Sequence, residues 1–207
     1  MKKSINYERL RLYSFLYIII PYKSRCELLN GNSIQRFKIS IFGDGGVGKT
    51  TLINRYLKGV FNNSTKITIG IDFYVKKLEI EDIECSLQIW DFAGESEFRS
   101  LFPSFVKNSD GGIFMFDITR YTSLENFDDW LYVFKNHNRE NKEIPVLLVG
   151  GKSDLEDHRV VVKNDVLDLA QAYGDFEYIE CSSKTGDNVE DVFTLLTRNI
   201  LKNKGLI

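Results

Sequence analysis

The chain has 207 residues, 43% of them hydrophobic and 27% charged, with a formal net charge of −2. That is enough for one domain with a real core plus an extension, and it leaves no basic footprint for nucleic acid or an anionic membrane. Cys26, Cys85 and Cys181 are odd in number and widely spaced. They form neither a metal pattern nor a disulfide framework and fit a reducing compartment. Cys85 and Cys181 fall in apolar strand patterns and are expected to be buried.

Residues 1–35 stand apart from the rest of the chain. Their most apolar run, LYSFLYIIIPY (12–22), is flanked by Arg9, Arg11, Lys23 and Arg25. It is shorter than the roughly 18 apolar residues of a transmembrane helix. No small-residue cleavage site succeeds it, Glu8 interrupts the basic region, and Pro21 would end a helix. Three readings stay open: a short membrane-surface anchor, an element packed on the domain, or an upstream start unused in the cell. The chain end, KNKGLI, has no cysteine box, and Lys2 excludes myristoylation.

From residue 36 strands and helices alternate. RFKISIF (36–42) reads as a strand and KTTLINRYLK as a helix closed by Gly59. IDFYVKKLEI and IECSLQIWDF read as a hairpin through Glu81 and Asp82, with Ile83, Cys85, Leu87 and Ile89 on one face. GGIFMFDIT and VLLVG are apolar runs typical of strands buried on both faces. Between them Ser123 is the expected cap of a helix carrying Leu124, Phe127, Leu131 and Phe134. DVLDLAQAYG is a helix ending at Gly174 and FEYIECS a strand. NVEDVFTLLTRNILK is a helix with Val189, Val192, Phe193, Leu196 and Ile200 on one side. The pattern predicts an open α/β sheet with helices on both faces.

The chemistry sits at strand ends. GDGGVGKT (43–50) comes directly after the first strand and opens a helix, the context that a G-x-x-x-x-G-K-T phosphate loop requires. Its amides and the helix N-terminus suit phosphate, Lys49 suits the outer phosphates, and the Thr50 hydroxyl suits Mg²⁺. This loop alone allows ATP or GTP. Asp91, in WDFAG, can hold a metal through water. GKSDL (151–155) and CSSKTG (181–186) come after two further strands, so three loops converge on one rim of the sheet.

GDGGVGKT, TIGIDF, LQIWDFAG, GKSDL and CSSKTGDNVEDVF, in this order and spacing, resemble the Ras-superfamily small GTPases, most closely the Rab branch, over about residues 36–203. The resemblance implies a P-loop NTPase domain over 36–207 with a six-stranded, mostly parallel sheet, one antiparallel edge strand, and GTP/GDP and Mg²⁺ as ligands. It implies that Gly45, Gly46, Val47, Gly48 and Lys49 hold the phosphates, that Thr51 also belongs to the nucleotide site, and that Thr50 and Thr68 ligate Mg²⁺ with Asp91 behind them. Gly94 would donate its N–H to the γ-phosphate, and Phe61 would pack near the guanine or serve as plain core. Asp154 would accept from the guanine ring N–H and amine, which adenine does not offer as a pair. Lys152 would lie across the base. Ser183 would meet the base carbonyl, with Ser182 and Lys184 supporting the loop. Lys49, Thr68, Gly94 and Glu95 are the expected catalytic set.

Two positions depart from the family pattern. Gly151 stands where the family has Asn, which predicts faster nucleotide release. Glu95 stands where the family has the Gln that orients the attacking water, which leaves slow turnover, partner-assisted turnover or exchange-driven resetting open. Glu97 is expected to be solvated; Phe98, Leu101 and Phe102 form either a partner surface or part of the core. A switch with slow hydrolysis is the leading reading, and a non-hydrolysing GTP-bound adaptor is the alternative. A nucleoside kinase fits neither TIGIDF nor GKSD. The expected partners are an exchange factor, a GTPase-activating protein and effectors. The expected state is a cytoplasmic monomer, peripheral at a membrane only through its N-terminal stretch.

Overall fold

The structure is a computed structural model describing residues 34–61, 68, 70–95, 102–138 and 144–207. Its described fold is the unit Arg36–Ile207. Strand β1 (Gln35–Phe42) leads through the glycine loop into helix α1 (Lys49–Lys58). The hairpin is β2 (Ile71–Ile80) and β3 (Ile83–Phe92), in antiparallel register from Ile71 opposite Phe92 to Ile80 opposite Ile83. Its two-residue turn places Glu81 and Asp82 at φ 50° and 63°, the backbone that a tight hairpin demands.

A short helix α2 (Phe102–Phe105) precedes β4 (Gly111–Asp117). Then come α3 (Thr122–Glu125), α4 (Phe127–His137), β5 (Val146–Gly151) and a 3₁₀ turn (Ser153–His158). Helix α5 (Lys163–Ala172), β6 (Glu177–Cys181) and α6 (Val189–Asn203) complete the chain. The sheet has six strands in the order β2-β3-β1-β4-β5-β6. β1–β4, β4–β5 and β5–β6 pair in parallel, and β2 is the antiparallel edge.

Period-two alternation gives the sheet two cores. Ile39, Ile41, Ile113, Met115, Leu147 and Val149 face α1 and α6, where they meet Leu52, Ile53, Val192, Phe193 and Leu196. Phe42, Phe114, Phe116 and Leu148 point the other way, to Phe127, Trp130, Leu131 and Phe134 of α4 and Val166 and Ala170 of α5. Burying that much aromatic and branched surface, at about 25 cal/mol per Å², holds the strand ends rigid. Cys85 and Cys181 are buried, free thiols.

Two details correct the expectations from sequence. Ser123 caps nothing. It lies inside α3, fully buried, its Oγ donating to the Arg120 carbonyl (2.6 Å) and accepting from the Asp117 amide (3.0 Å). The expected single helix breaks at Asn126, whose side-chain amide donates to Asp44 instead (2.7 Å). Phe102 is core, packed edge-on against Phe92 and Trp130. Glu97, Phe98 and Leu101 lie outside the described residues.

Candidate functional site

The loop between β1 and α1 passes close under β4. Gly43 has φ 135°, and a Cβ there would sit 2.1 Å from the Met115 carbonyl oxygen, so only glycine fits. Among the described residues no side chain caps the N-terminus of α1, whose ten residues begin at Lys49. The N-terminus of such a helix attracts an anion. Lys49 is 6% exposed and donates to the carbonyls of Gly43 and Asp44, both at 2.8 Å. Burial pulls its amine down to about 8, against Asp91, Asp44 and Glu95, which favour the charged form. The Asp44 carboxylate accepts from Asn126 Nδ2 (2.7 Å) and Trp130 Nε1 (3.1 Å), tying the loop to α4.

Behind the loop, oxygens gather. Thr50 Oγ1 lies 2.6 Å from Thr68 Oγ1 and 2.5 Å from Asp91 Oδ2. Asp91 is fully buried, and its Oδ1 has no hydrogen-bond partner among the described residues. Burial raises its carboxyl to about 6, with the Thr50 hydrogen bond and Lys49 opposing. One carboxylate and two hydroxyls are hard donors. They leave room for phosphate oxygens and water, so the set fits Mg²⁺ bound together with a nucleotide. The orphaned Asp91 oxygen is the observation that calls for such a cation.

On the other side of the loop lies a cavity of about 400 Å³. Gly46, Val47, Gly48 and Thr51 line one side, and Phe61, Met115, Lys152, Asp154, Leu155, Ser183 and Lys184 the remainder. Ser182 Oγ donates to Asp154 Oδ1 (2.6 Å) and itself accepts from the amides of Lys184 (3.2 Å) and Thr185 (3.1 Å). Lys184 Nζ stands 3.6 Å from Asp154 Oδ2. The carboxylate is thus fixed at the cavity edge by groups from the β6–α6 loop. Lys152 takes a left-handed backbone (φ 66°), and its Nζ pairs with Asp117 Oδ2 at 2.6 Å. Burial would raise the Asp117 carboxyl, but bonds from Lys152 and Thr119 outweigh it and hold it below the usual range.

The model of the Ras family matches residues 38–202. The chain belongs to the Ras family. Ras-related protein Rab-19 of Rattus norvegicus is 31% identical over 187 residues, 90% of this chain and 85% of that protein. Ras-related protein Rab-7a of Dictyostelium discoideum is 37% identical over 167 residues, 80% and 82%. Ras-related protein Rab-13 of Canis lupus familiaris is 37% identical over 169 residues, 82% of each. The protein is a small GTP-binding GTPase of the Rab branch, and GTP/GDP with Mg²⁺ are its ligands.

In this Rab-branch GTPase the two unusual positions have visible surroundings. A Cβ on Gly151 would lie 2.5 Å from Met115 Cε, 3.1 Å from the Val47 carbonyl and 3.3 Å from the Phe116 carbonyl. Met115 fills the place of the missing side chain. Gly94 approaches the phosphate loop so closely that a Cβ would lie 2.2 Å from the Asp44 carbonyl carbon. A Cβ on Gly45 would meet Glu95 Oε1 at 2.1 Å, so the Glu95 carboxylate rests on the loop rather than in open solvent. Asp117, Met115 and Arg120, whose Nη2 donates to the Gly45 carbonyl (2.7 Å), are site residues that sequence reasoning misses. Asp117 is the most findable of the three, as an acid ending an apolar strand on the same rim.

Proposed function

We propose that this GTPase is a molecular switch with slow intrinsic hydrolysis, reset largely by nucleotide exchange. One observation carries the reading: the Glu95 carboxylate lies against Gly45, beside the lysine and glycines of the phosphate loop. In this reading the amides of Gly45, Gly46, Val47 and Gly48 hold the phosphates, joined by Lys49 and the Gly94 amide. The base lies in the cavity between Phe61 and Lys152, read by Asp154, with the Ser183 amide near its carbonyl. Thr50 and Thr68 hold Mg²⁺, with Asp91 behind them. Held there, Mg²⁺ would supply charge neutralisation for the phosphates.

Gln at position 95 could accept from the attacking water and donate to the phosphate; an ionised Glu only accepts. It also adds negative charge where charge develops on the transferring phosphoryl group. Gly151 adds the second half of the reading. Without a side-chain amide between base loop and phosphate loop, nucleotide leaves faster. Single-turnover hydrolysis by the wild type and Glu95→Gln tests the proposal. The variant is expected to hydrolyse GTP about tenfold faster or more; equal rates would make Glu95 a bystander. Turnover restored by Glu95→Gln from an undetectable wild-type level would favour the adaptor reading.

For partners, the exposed rings of Phe73 and Phe105 flank Trp90, with centroids 5.2 and 5.9 Å away, and Val75 extends this apolar patch along β2. Such a patch suits an effector or regulator. We place membrane contact, if any, on residues 9–25 and the working state as a monomer. Liposome flotation with and without residues 1–34, and sedimentation, test these two points.

A further inference from the structure

Arg120 lies on the turn between β4 and α3. That turn is stiff. Ser123 Oγ donates to the Arg120 carbonyl, and Thr119 bonds to Asp117 through its amide (2.9 Å) and hydroxyl (2.7 Å). From this base the exposed guanidinium crosses to the loop and donates to the Gly45 carbonyl at 2.7 Å. Gly45 is also where the Glu95 carboxylate rests. The Lys49 amine feels both groups, Glu95 favouring its charged form and Arg120 opposing it. A cation and an anion of the same chain therefore flank the outer edge of the phosphate loop.

We propose that Arg120 is a catalytic residue supplied in cis: its guanidinium turns from the Gly45 carbonyl to the transferring phosphoryl group and offsets the charge of Glu95. This rests on reading residues 43–50 as the GTP site. The reaction itself is unchanged. The water oxygen forms its bond to the γ-phosphorus while the bond to the β–γ bridging oxygen breaks. That electron pair leaves on GDP, and the water proton ends on the released phosphate. A guanidinium has five N–H groups in a planar fork, enough to meet more than one phosphate oxygen once it has turned. Charge placed there acts on the transition state more than on bound GTP, because charge shifts during the transfer.

The test is single-turnover hydrolysis by the full chain loaded with GTP and Mg²⁺, for wild type, Arg120→Ala, Arg120→Gln and Arg120→Lys, with fluorescent GDP release measured in parallel. Arg120→Ala and Arg120→Gln are expected to lose about tenfold or more in rate, with GDP release within about twofold of wild type and Arg120→Lys between. Gln keeps a donor for the Gly45 carbonyl, so a mere loop prop would be rescued by it; wild-type rates in Arg120→Gln overturn the inference. The same series on Glu95→Gln is expected to show a smaller loss, and keeps the rate measurable if wild-type turnover is very slow. GDP with aluminium fluoride, a planar phosphoryl mimic, should be retained by wild type without any partner and lost by Arg120→Ala; equal retention counts against the role. Normal guanine-nucleotide binding with unchanged rates overturns this inference alone. Failure of the wild type to bind guanine nucleotide overturns the site reading with it.

Discussion

Replacing Gly151 by Asn should not, alone, slow nucleotide release to the pace of relatives that carry Asn there. An amide at 151 would stand beside the Val47 carbonyl, 3.1 Å from its own Cβ, and at the edge of the base cavity. A hydrogen bond or two gained there is worth about 1–3 kcal/mol, or about 5- to 150-fold in affinity. The same Cβ would lie 2.5 Å from Met115 Cε, and Met115 is 1% exposed, packed between β5 and the phosphate loop. Forcing extra atoms into such a place costs about 1–3 kcal/mol. The two terms cancel to first order, so Gly151→Asn is expected to release fluorescent GDP within about threefold of wild type. Shortening the obstacle removes the second term. Gly151→Asn/Met115→Val should slow release about tenfold or more, while Met115→Val alone should not. Stopped-flow release on the four proteins decides the matter. A single variant as slow as the double would show that Met115 yields freely. A double variant no slower than wild type would show that the missing amide is not what sets the release rate.

Other outcomes are expected from the same geometry. Ser182→Ala removes a fully buried hydroxyl that bonds Asp154 and two amides, so guanine-nucleotide affinity should fall by about 1–3 kcal/mol, read by titration calorimetry. Glu95→Gln should raise the single-turnover hydrolysis rate by about tenfold or more. Near the C-terminal end of β6, burial would raise the Glu180 carboxyl, but Arg159 and Tyr178 hydrogen bonds win and hold it below its ordinary value near 4.5. A lowered folded-state pKa gives stability that is full above about 4.5 and lost as pH falls through the folded value. Wild type should therefore lose more melting temperature than Glu180→Gln between about pH 5 and pH 3; parallel curves would refute the assignment.

Much of the fold is legible in the sequence because it rests on local periodicity. The hairpin strands run from Ile71 to Ile80 and Ile83 to Phe92, the residues whose alternation marks them. Asp91, Lys49, Thr50 and Asp154 are legible because backbone spacing carries them to one rim. What is not legible depends on how side chains share space. Ser123 has the composition of a cap, yet its hydroxyl holds the β4–α3 turn, and Asn126 breaks the helix to reach Asp44. Met115 reads like any strand residue, yet its terminal methyl occupies the place where position 151 lacks a side chain. Arg120 is an exposed charge in a turn, and only the crossing to Gly45 sets it apart. Thr68 and Asp91 are expected together from sequence, but the unpartnered Oδ1 that argues for a cation is a fact of burial.

The central claim is that one cavity, bounded by the phosphate loop and Asp154, selects a guanine nucleotide with Mg²⁺. The direct measurement is competition of fluorescent GDP by unlabelled GTP, GDP, ATP and ADP on the purified chain, with the nucleotide it retains identified chromatographically. The account predicts retained guanine nucleotide, displacement by GTP and GDP, and no displacement by millimolar ATP. Displacement by ATP at concentrations comparable to GTP, or indifference to all four, would contradict it.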